Sequence, residues 1–99
     1  MVRHIVTWSF GDNFSAEGSA ASAKKIKTEL EALKECIDGI VELNVYINVL
    51  CSCDRDLVLN SLFVSEEALQ AYQIHPEHKR VSAFVRSVTQ NRVCIDYVE

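Results

Sequence analysis

The chain has 99 residues and a formal net charge of −4 at pH 7. This length is typical of a single domain, here residues 1–99, and the acidic balance argues against nucleic-acid binding, which needs a basic surface. No stretch approaches the roughly 18 apolar residues of a membrane span, so we expect neither nucleic acid nor a membrane as a partner.

The first predicted elements are a strand and a helix. Residues 3–10 are rich in β-branched and aromatic types and predict a strand, which the sequence GDN at 11–13 ends. Ser15 or Ser19 can cap the helix that follows, and Asp38-Gly39 ends it. The apolar residues of this helix recur at spacings of three and four: Ala23, Ile26, Leu30, Leu33 and Ile37.

Two further strands are predicted in the middle of the chain. Residues 40–49 alternate strictly between apolar and polar side chains, which is the pattern of a half-buried strand. Residues 50–55 form a loop, and residues 56–64 predict a third strand that is apolar on much of both faces.

The last part of the chain predicts a broken helix and a final strand. Ser65 caps a short helix with an acidic first turn. A second helix begins at Pro76, since proline suits a first helical turn, and it extends to Val88. Residues 89–91 predict a turn, and residues 92–98 predict the last strand.

The order β-α-β-β-α-β predicts a ferredoxin-like α+β fold. Its four-stranded antiparallel sheet would have the first and last strands as neighbours at its centre, with helices on one face. Strands two and three are too apolar for the other face to stay exposed, and exposed apolar patches mark interfaces. We therefore expect a homodimer in which two sheets face each other.

The segment AYQIHPEH, residues 71–78, combines a tyrosine with two of the three histidines and the only proline. His78 falls in the first turn of the helix that begins at Pro76. The residues that follow at helical spacing form an apolar stripe: Val81, Phe84, Val85 and Val88. A histidine at the head of such a stripe is either a hydrogen-bonded core residue or the polar end of a pocket. His75 is interpreted as a helix N-cap or an exposed loop residue.

A candidate acid–base site follows from the predicted sidedness of the strands. His4 shares a face of the first strand with Val6 and Trp8, and Asp96 on the adjacent last strand lies opposite or diagonal to it. If the second helical region packs over this face, four polar residues converge: His4, Tyr72, His78 and Asp96. The apolar lining is predicted to comprise Val6, Trp8 and Val81. A histidine can move a proton near neutral pH, and a tyrosine hydroxyl can hold a developing enolate oxygen.

The four cysteines predict reduced thiols rather than disulfides. The N-terminal residues lead directly into a strand without the pattern of a signal peptide, so a cytoplasmic location and free thiols are expected. Cys51 and Cys53 do not have the spacing of a zinc or thioredoxin-like pair, so no metal and no cofactor are predicted. Cys36 and Cys94 are interpreted as small buried apolar residues.

Four segments resemble the stress-responsive dimeric α/β-barrel (Dabb) family: VRHIVTWSF, GIVELNVYIN, LFVSEEALQAYQIHPEHKRV and RVCIDYVE. The resemblance covers essentially the whole chain and is most specific around the AYQIHPEH segment. It implies a dimer whose two sheets form a barrel. A plant branch of the family includes polyketide cyclases that use a tyrosine, a histidine from this segment and a histidine on the first strand, which match Tyr72, His78 and His4.

Three functional hypotheses remain open from the sequence. The first is a homodimer that binds a small, partly apolar molecule, with acid–base chemistry of the cyclase or isomerase type. The second is a structural or stress-protective dimer without catalysis, in which the same polar groups only stabilise packing. The third is an oxidative-stress role for Cys51 and Cys53, which would require thiols of depressed pKa.

Overall fold

The computed structural model describes residues 1–12 and 15–99, so Asn13 of the predicted break lies outside the described residues. The elements follow the predicted order: β1 (Val2–Phe10), α1 (Ala16–Cys36), β2 (Ile40–Tyr46), β3 (Leu57–Phe63), α2 (Glu66–Ile74), α3 (Pro76–Val88) and β4 (Thr89–Val98). This arrangement confirms the ferredoxin-like α+β prediction. Among the described helices, none has both the length and the apolar content that a membrane span requires.

The four strands form one antiparallel sheet in the order β2-β3-β1-β4. β1 and β4 are antiparallel neighbours, as expected. The expectation that both lie at the centre is wrong, because the helical connection from β3 to β4 passes over β1 and leaves β4 at the edge. The central strands are β1 and β3, and the edge position of β4 makes its side chains more accessible than those of β1.

Serine caps begin two of the helices. The Gly18 amide donates to the Ser15 hydroxyl (3.1 Å), which selects Ser15 rather than Ser19 as the N-cap of α1. The Ala68 amide donates to Ser65 in the same way (3.1 Å). After α1 the chain turns at Gly39, where φ is +90° and an added Cβ would lie 2.7 Å from the Cβ of Ala68, so both backbone conformation and space require glycine there.

The helices cover one face of the sheet and bury its apolar side chains. Alternate residues of β1 are buried, from Val2 to Trp8. The apolar stripe of α1 is buried as predicted. His4 and Ser61 are the buried polar residues of the described chain, and the Ser61 hydroxyl donates to the His4 carbonyl oxygen (2.7 Å). A polar pair therefore lies within the core at the centre of the sheet.

The start of β4 differs from the prediction. Residues 89–91 were expected to form a turn, but Thr89 and Gln90 already pair with Phe10 and Ser9 of β1. The left-handed backbone of Asn91 (φ 56°) accompanies a shift of register between Thr7 and Ser9. A β-bulge accommodates turn-favouring residues within a strand, so the polar composition of residues 89–91 wrongly predicted a turn.

Cys36 and Cys94 are exposed, which corrects the prediction that both are buried. Cys36 lies at the end of α1 next to Ile37, and only Ile37 continues the buried stripe. Cys94 faces the helical side of the sheet, but it lies on the edge strand. All four cysteines are free thiols.

The sheet face away from the helices carries exposed apolar side chains. Val93, Ile95 and Tyr97 of β4 are 41–49% exposed, and Tyr46 of β2 is 52% exposed. The three β4 residues pair with Thr7, Ile5 and Arg3 of β1, and Tyr46 lies in the same row of the sheet as Thr7. These β1 residues alternate with His4, so all four exposed side chains lie on the side opposite to His4. We call this surface the open sheet face. Apolar surface of this kind marks an interface.

Candidate functional site

A cavity of about 330 Å³ lies between the central strands and the helices. Its volume is at the lower end of the range of small-molecule sites. The lining residues come from every helix and from three of the strands: His4, Val6, Trp8, Leu30, Leu59, Tyr72, Gln73, His78, Ser82, Val85, Arg86 and Arg92. Apolar side chains form one wall. The polar lining residues of the other elements lie near the C-terminus of α2, along α3 and near the beginning of β4.

Tyr72 is fully buried, and its hydroxyl has no hydrogen-bond partner among the residues that the structure describes. Burial raises the pKa of the Tyr72 phenol, so it stays protonated and can only donate or accept as a neutral group. Leaving such a group unpaired costs on the order of 1–3 kcal/mol. An orphaned hydroxyl in a side chain that lines a cavity is a position where a ligand oxygen can accept a hydrogen bond.

His78 lies beside this tyrosine with its ring held by the backbone. Its Nδ1 lies 3.2 Å from the Gln73 carbonyl oxygen, a pure acceptor, so Nδ1–H is the donor. In the neutral ring Nε2 then keeps its lone pair. Desolvation by burial is the main cause that lowers the pKa of His78, and the charges of Arg86 and Arg92 act in the same direction. The imidazole is therefore neutral at pH 7 and can accept a proton.

His4 and Asp96 form a hydrogen bond across the β1–β4 pair, between His4 Nδ1 and Asp96 Oδ1. His4 is 3% exposed, whereas the Asp96 side chain is 39% exposed. Since an ionised carboxylate only accepts, it fixes the proton of His4 on Nδ1. Asp96 therefore orients a histidine that lines the cavity, while Asp96 itself is not among the lining residues.

The three aromatic rings follow one another along the cavity wall. The ring centroid of Tyr72 lies 4.3 Å from that of His78 and 6.3 Å from that of His4, which belongs to β1. This succession depends on the break before Pro76. The His75 side chain accepts from the Glu77 amide (3.1 Å) and caps α3, which decides between the two roles that the sequence left open. The chain direction changes at this cap, and His78 in the first turn of α3 lies beside Tyr72.

The structure brings most of the predicted site residues to the cavity. His4, Tyr72 and His78 line it, as do the predicted apolar residues Val6 and Trp8. Val81 is placed elsewhere: it is 1% exposed and belongs to the core cluster, not to the described lining. The α3 residues that line the cavity follow His78 at helical spacing, and Val85 is the one member of the predicted apolar stripe among them: His78, Ser82, Val85 and Arg86.

Sequence reasoning missed four polar lining residues: Gln73, Ser82, Arg86 and Arg92. A signal for two of them exists, since Ser82 and Arg86 follow His78 at spacings of four on one helix face. Arg92 could have been found from the period of two on β4, since it precedes Cys94 and Asp96 on the same side. Arg92 lies within the register shift near Asn91, however, so the sequence alone does not show that the period of two begins at this residue.

One group of side chains has donors suited to a metal ion. The ligand atoms of His4, Cys94 and Asp96 all lie within 4.8 Å of one another, with Cys94 Sγ 3.8 Å from His4 Nδ1. Nitrogen, sulfur and carboxylate oxygen are donors that zinc accepts. The hydrogen bond between His4 and Asp96 already satisfies two of these groups, and burial raises the pKa of the Cys94 thiol, which favours its neutral form. These contacts are complete without an ion.

Fold and cavity together define an α+β protein with a ferredoxin-like sheet, an uncovered apolar face and a histidine–tyrosine cavity on the covered face. The chain belongs to the stress responsive A/B barrel domain family, whose model matches residues 2–99. This confirms the resemblance found in the sequence.

The relatives of this chain agree with that assignment. A stress-response A/B barrel domain-containing protein of Arabidopsis thaliana is 26% identical over 99% of this chain, and the chain spans about half of its length (47%). A dimeric ferredoxin-like protein of unknown function from Bacteroides fragilis is 27% identical, with a TM-score of 0.89 over 97% of this chain and 93% of that one. A hydroxynitrile lyase from Passiflora edulis shares the fold at 14% identity, with a TM-score of 0.81 over 99% and 92% of the two chains.

Proposed function

We propose that this protein is a homodimer that binds a small, partly apolar carbonyl compound in the histidine–tyrosine cavity. The observation that carries the proposal is the buried Tyr72 hydroxyl, which lacks a partner among the described residues and belongs to a side chain of the cavity wall. A native protein retains an unpaired buried hydroxyl at a cost to stability. A ligand oxygen would remove that cost on binding.

The chemistry we propose is cofactor-free proton transfer next to the carbonyl. His78 Nε2 takes a proton from the carbon adjacent to the carbonyl group, and the electron pair of that C–H bond moves to form the enolate. The Tyr72 hydroxyl donates to the enolate oxygen, where negative charge develops. The enolate carbon then attacks a second carbonyl of the same molecule, the π electrons of that carbonyl move to its oxygen, and the alkoxide takes the proton from the His78 imidazolium. In an isomerisation the enolate is instead reprotonated at another carbon by the same imidazolium.

His4 and Asp96 have a positioning role in this proposal. Asp96 holds the His4 proton on Nδ1, so Nε2 of His4 can accept a hydrogen bond from a ligand hydroxyl or from a water molecule. The apolar wall, which includes Val6 and Trp8, excludes water from the reacting atoms. These roles fit a cyclase, isomerase or lyase, and a hydroxynitrile lyase is among the proteins that share the fold.

Deuterium exchange provides a direct test of proton abstraction. In D2O the α-protons of 2-nonanone are replaced slowly, and proton NMR measures the rate. We expect the protein to accelerate exchange, His78→Gln to abolish the acceleration, and Tyr72→Phe to reduce it by about 10²–10³, the usual loss for one oxyanion donor. His75→Asn is the matched control, since asparagine can still cap α3. Equal losses in His75→Asn and His78→Gln would contradict the proposal.

A non-catalytic dimer is the second candidate, and a specific contact favours it. The His78 side chain is bonded to the Gln73 carbonyl and so ties α3 to the end of α2. If that bond is its main role, His78→Gln should lower the unfolding midpoint while no ketone exchanges or binds. The cytoplasmic location and the redox role of Cys51 and Cys53 stay predictions from the sequence.

A further inference from the structure

Two arginines line the cavity in a protein whose net charge is −4. Arg86 lies on α3, two turns beyond His78, and Arg92 lies on β4. Neither forms an ion pair with a described carboxylate, unlike Arg3 and Arg80, which each contact two glutamates. Both arginine side chains are exposed and line the cavity, so their guanidinium groups are accessible to a ligand there.

Local structure accounts for only part of this arrangement. Arg86 lies in the last turn of α3, where a cation interacts favourably with the helix dipole. Arg92 is an exposed residue of the edge strand, where no helix dipole stabilises its charge. Its neighbour is the Cys94 thiol, whose pKa is raised by burial and by Asp96, so the thiol is neutral and offers no counter-charge. The Asp96 carboxylate lies beside the same thiol and is hydrogen-bonded to His4, so Arg92 has an acidic neighbour but no direct ion pair with it.

Both guanidinium groups act on the same ligand space. Their charges lower the pKa of His78, together with the nearby His4. Both arginines and His78 line one cavity of about 330 Å³, so a single small molecule can contact an arginine and the imidazole at once. Arginine presents planar paired N–H donors that match a carboxylate, and Gln73 and Ser82 add neutral hydrogen-bonding groups beside them.

We propose that the ligand carries a carboxylate as well as a carbonyl group, with the carboxylate held by Arg86 and Arg92 and the carbonyl facing Tyr72 and His78. The ligand class is then a keto acid with an apolar tail on the wall formed by Val6 and Trp8. This inference rests on the proposed function for the carbonyl end and on the arginines for the acidic end.

Three probes of equal chain length separate the two ends. The keto acid 4-oxononanoate has both the ketone and the carboxylate. Its methyl ester keeps the ketone but lacks the negative charge, and nonanoate keeps the carboxylate but lacks the ketone. Trp8 is the single tryptophan, is 6% exposed and lines the cavity, so its fluorescence reports binding. We expect the keto acid to bind about tenfold more tightly than its ester, and less tightly as salt is raised, since exposed charge pairs are screened.

Charge-removing variants locate the contact. Arg86→Gln and Arg92→Gln should each weaken the keto acid and nonanoate by about three- to tenfold, the range of a charge-assisted hydrogen bond partly screened by water, and leave the ester unchanged. Lys79→Gln is the matched control, because Lys79 is an exposed cation on α3 outside the described lining. It should leave all three affinities unchanged.

The outcomes distinguish this inference from the proposed function. An ester that binds as tightly as the acid, or arginine variants that bind the acid like the wild type, would overturn the inference and leave the carbonyl site intact. If the arginine variants weaken both acids while Tyr72→Phe affects neither, the carboxylate site stands and the carbonyl site fails. Failure of all three probes to bind at millimolar concentration overturns the inference.

Discussion

The ring of His78 lies 4.3 Å from the ring of Tyr72, at an interplanar angle of 47°. The two residues belong to different helices and are brought together by the break at His75-Pro76. One of them carries a buried hydroxyl that has no partner among the described residues, and the other a neutral imidazole whose Nδ1 is occupied. A phenol that stays protonated and an imidazole that can accept a proton at Nε2 therefore lie side by side.

Removal of the Tyr72 hydroxyl should stabilise the protein. Tyr72→Phe keeps the ring in its fully buried position and deletes a polar atom that has no described partner. A gain of about 1 kcal/mol corresponds to a rise of roughly 4–8 °C in the unfolding midpoint of a domain of this size. Differential scanning calorimetry measures it. A clear loss of stability in Tyr72→Phe would mean that the hydroxyl is paired.

His78 should titrate below the usual histidine range, because its burial disfavours the imidazolium form. The unfolded chain then binds a proton more readily than the folded one, so the free energy of unfolding should fall as the pH is lowered through about 6.5. Above that pH the contribution is constant. NMR titration of the ring protons gives the pKa, and urea unfolding at several pH values gives the slope. In His78→Gln this part of the slope should disappear; an elevated pKa would contradict the assignment.

Loss of the Asp96 carboxylate should destabilise the fold through His4. Asp96→Ala leaves the buried His4 Nδ1–H without its acceptor, which costs about 1–3 kcal/mol. Asp96→Asn should cost less, because the amide oxygen can still accept. Urea denaturation measures both, with Asp54→Ala at an exposed loop carboxylate as the control. Equal stability of Asp96→Ala and the wild type would show that the bond contributes nothing net.

The open sheet face should be the dimer interface. Ile95 of the edge strand is 49% exposed on this face and lies opposite Ile5 on the neighbouring strand. Light scattering of the wild type should give twice the 11.2 kDa chain mass at micromolar concentration, and Ile95→Lys should give the monomer mass, because a charge would be buried without a partner. Leu50→Lys, at a 77% exposed loop residue, should remain dimeric. A monomeric wild type would rule out the two-sheet arrangement.

Several features of the site were predictable because they depend on local chain chemistry. The period of two in β1 assigned His4, Val6 and Trp8 to one face. The proline and the preceding histidine marked the beginning of α3, and the register of two antiparallel neighbours made His4 and Asp96 a pair. Other features depended on distant packing. Val81 and Ser82 are adjacent in sequence, and only the rotation of α3 on the sheet decided which of them meets the cavity.

The sequence by itself determined the element order and the sidedness of the strands, because each follows from residues a few positions apart. Only the tertiary structure decided that β4 lies at the edge, that the Tyr72 hydroxyl is buried without a partner among residues 1–12 and 15–99, and that Arg86 and Arg92 share a cavity with His78. Those properties arise from contacts between segments distant in sequence, where packing geometry, and not local propensity, selects the neighbours.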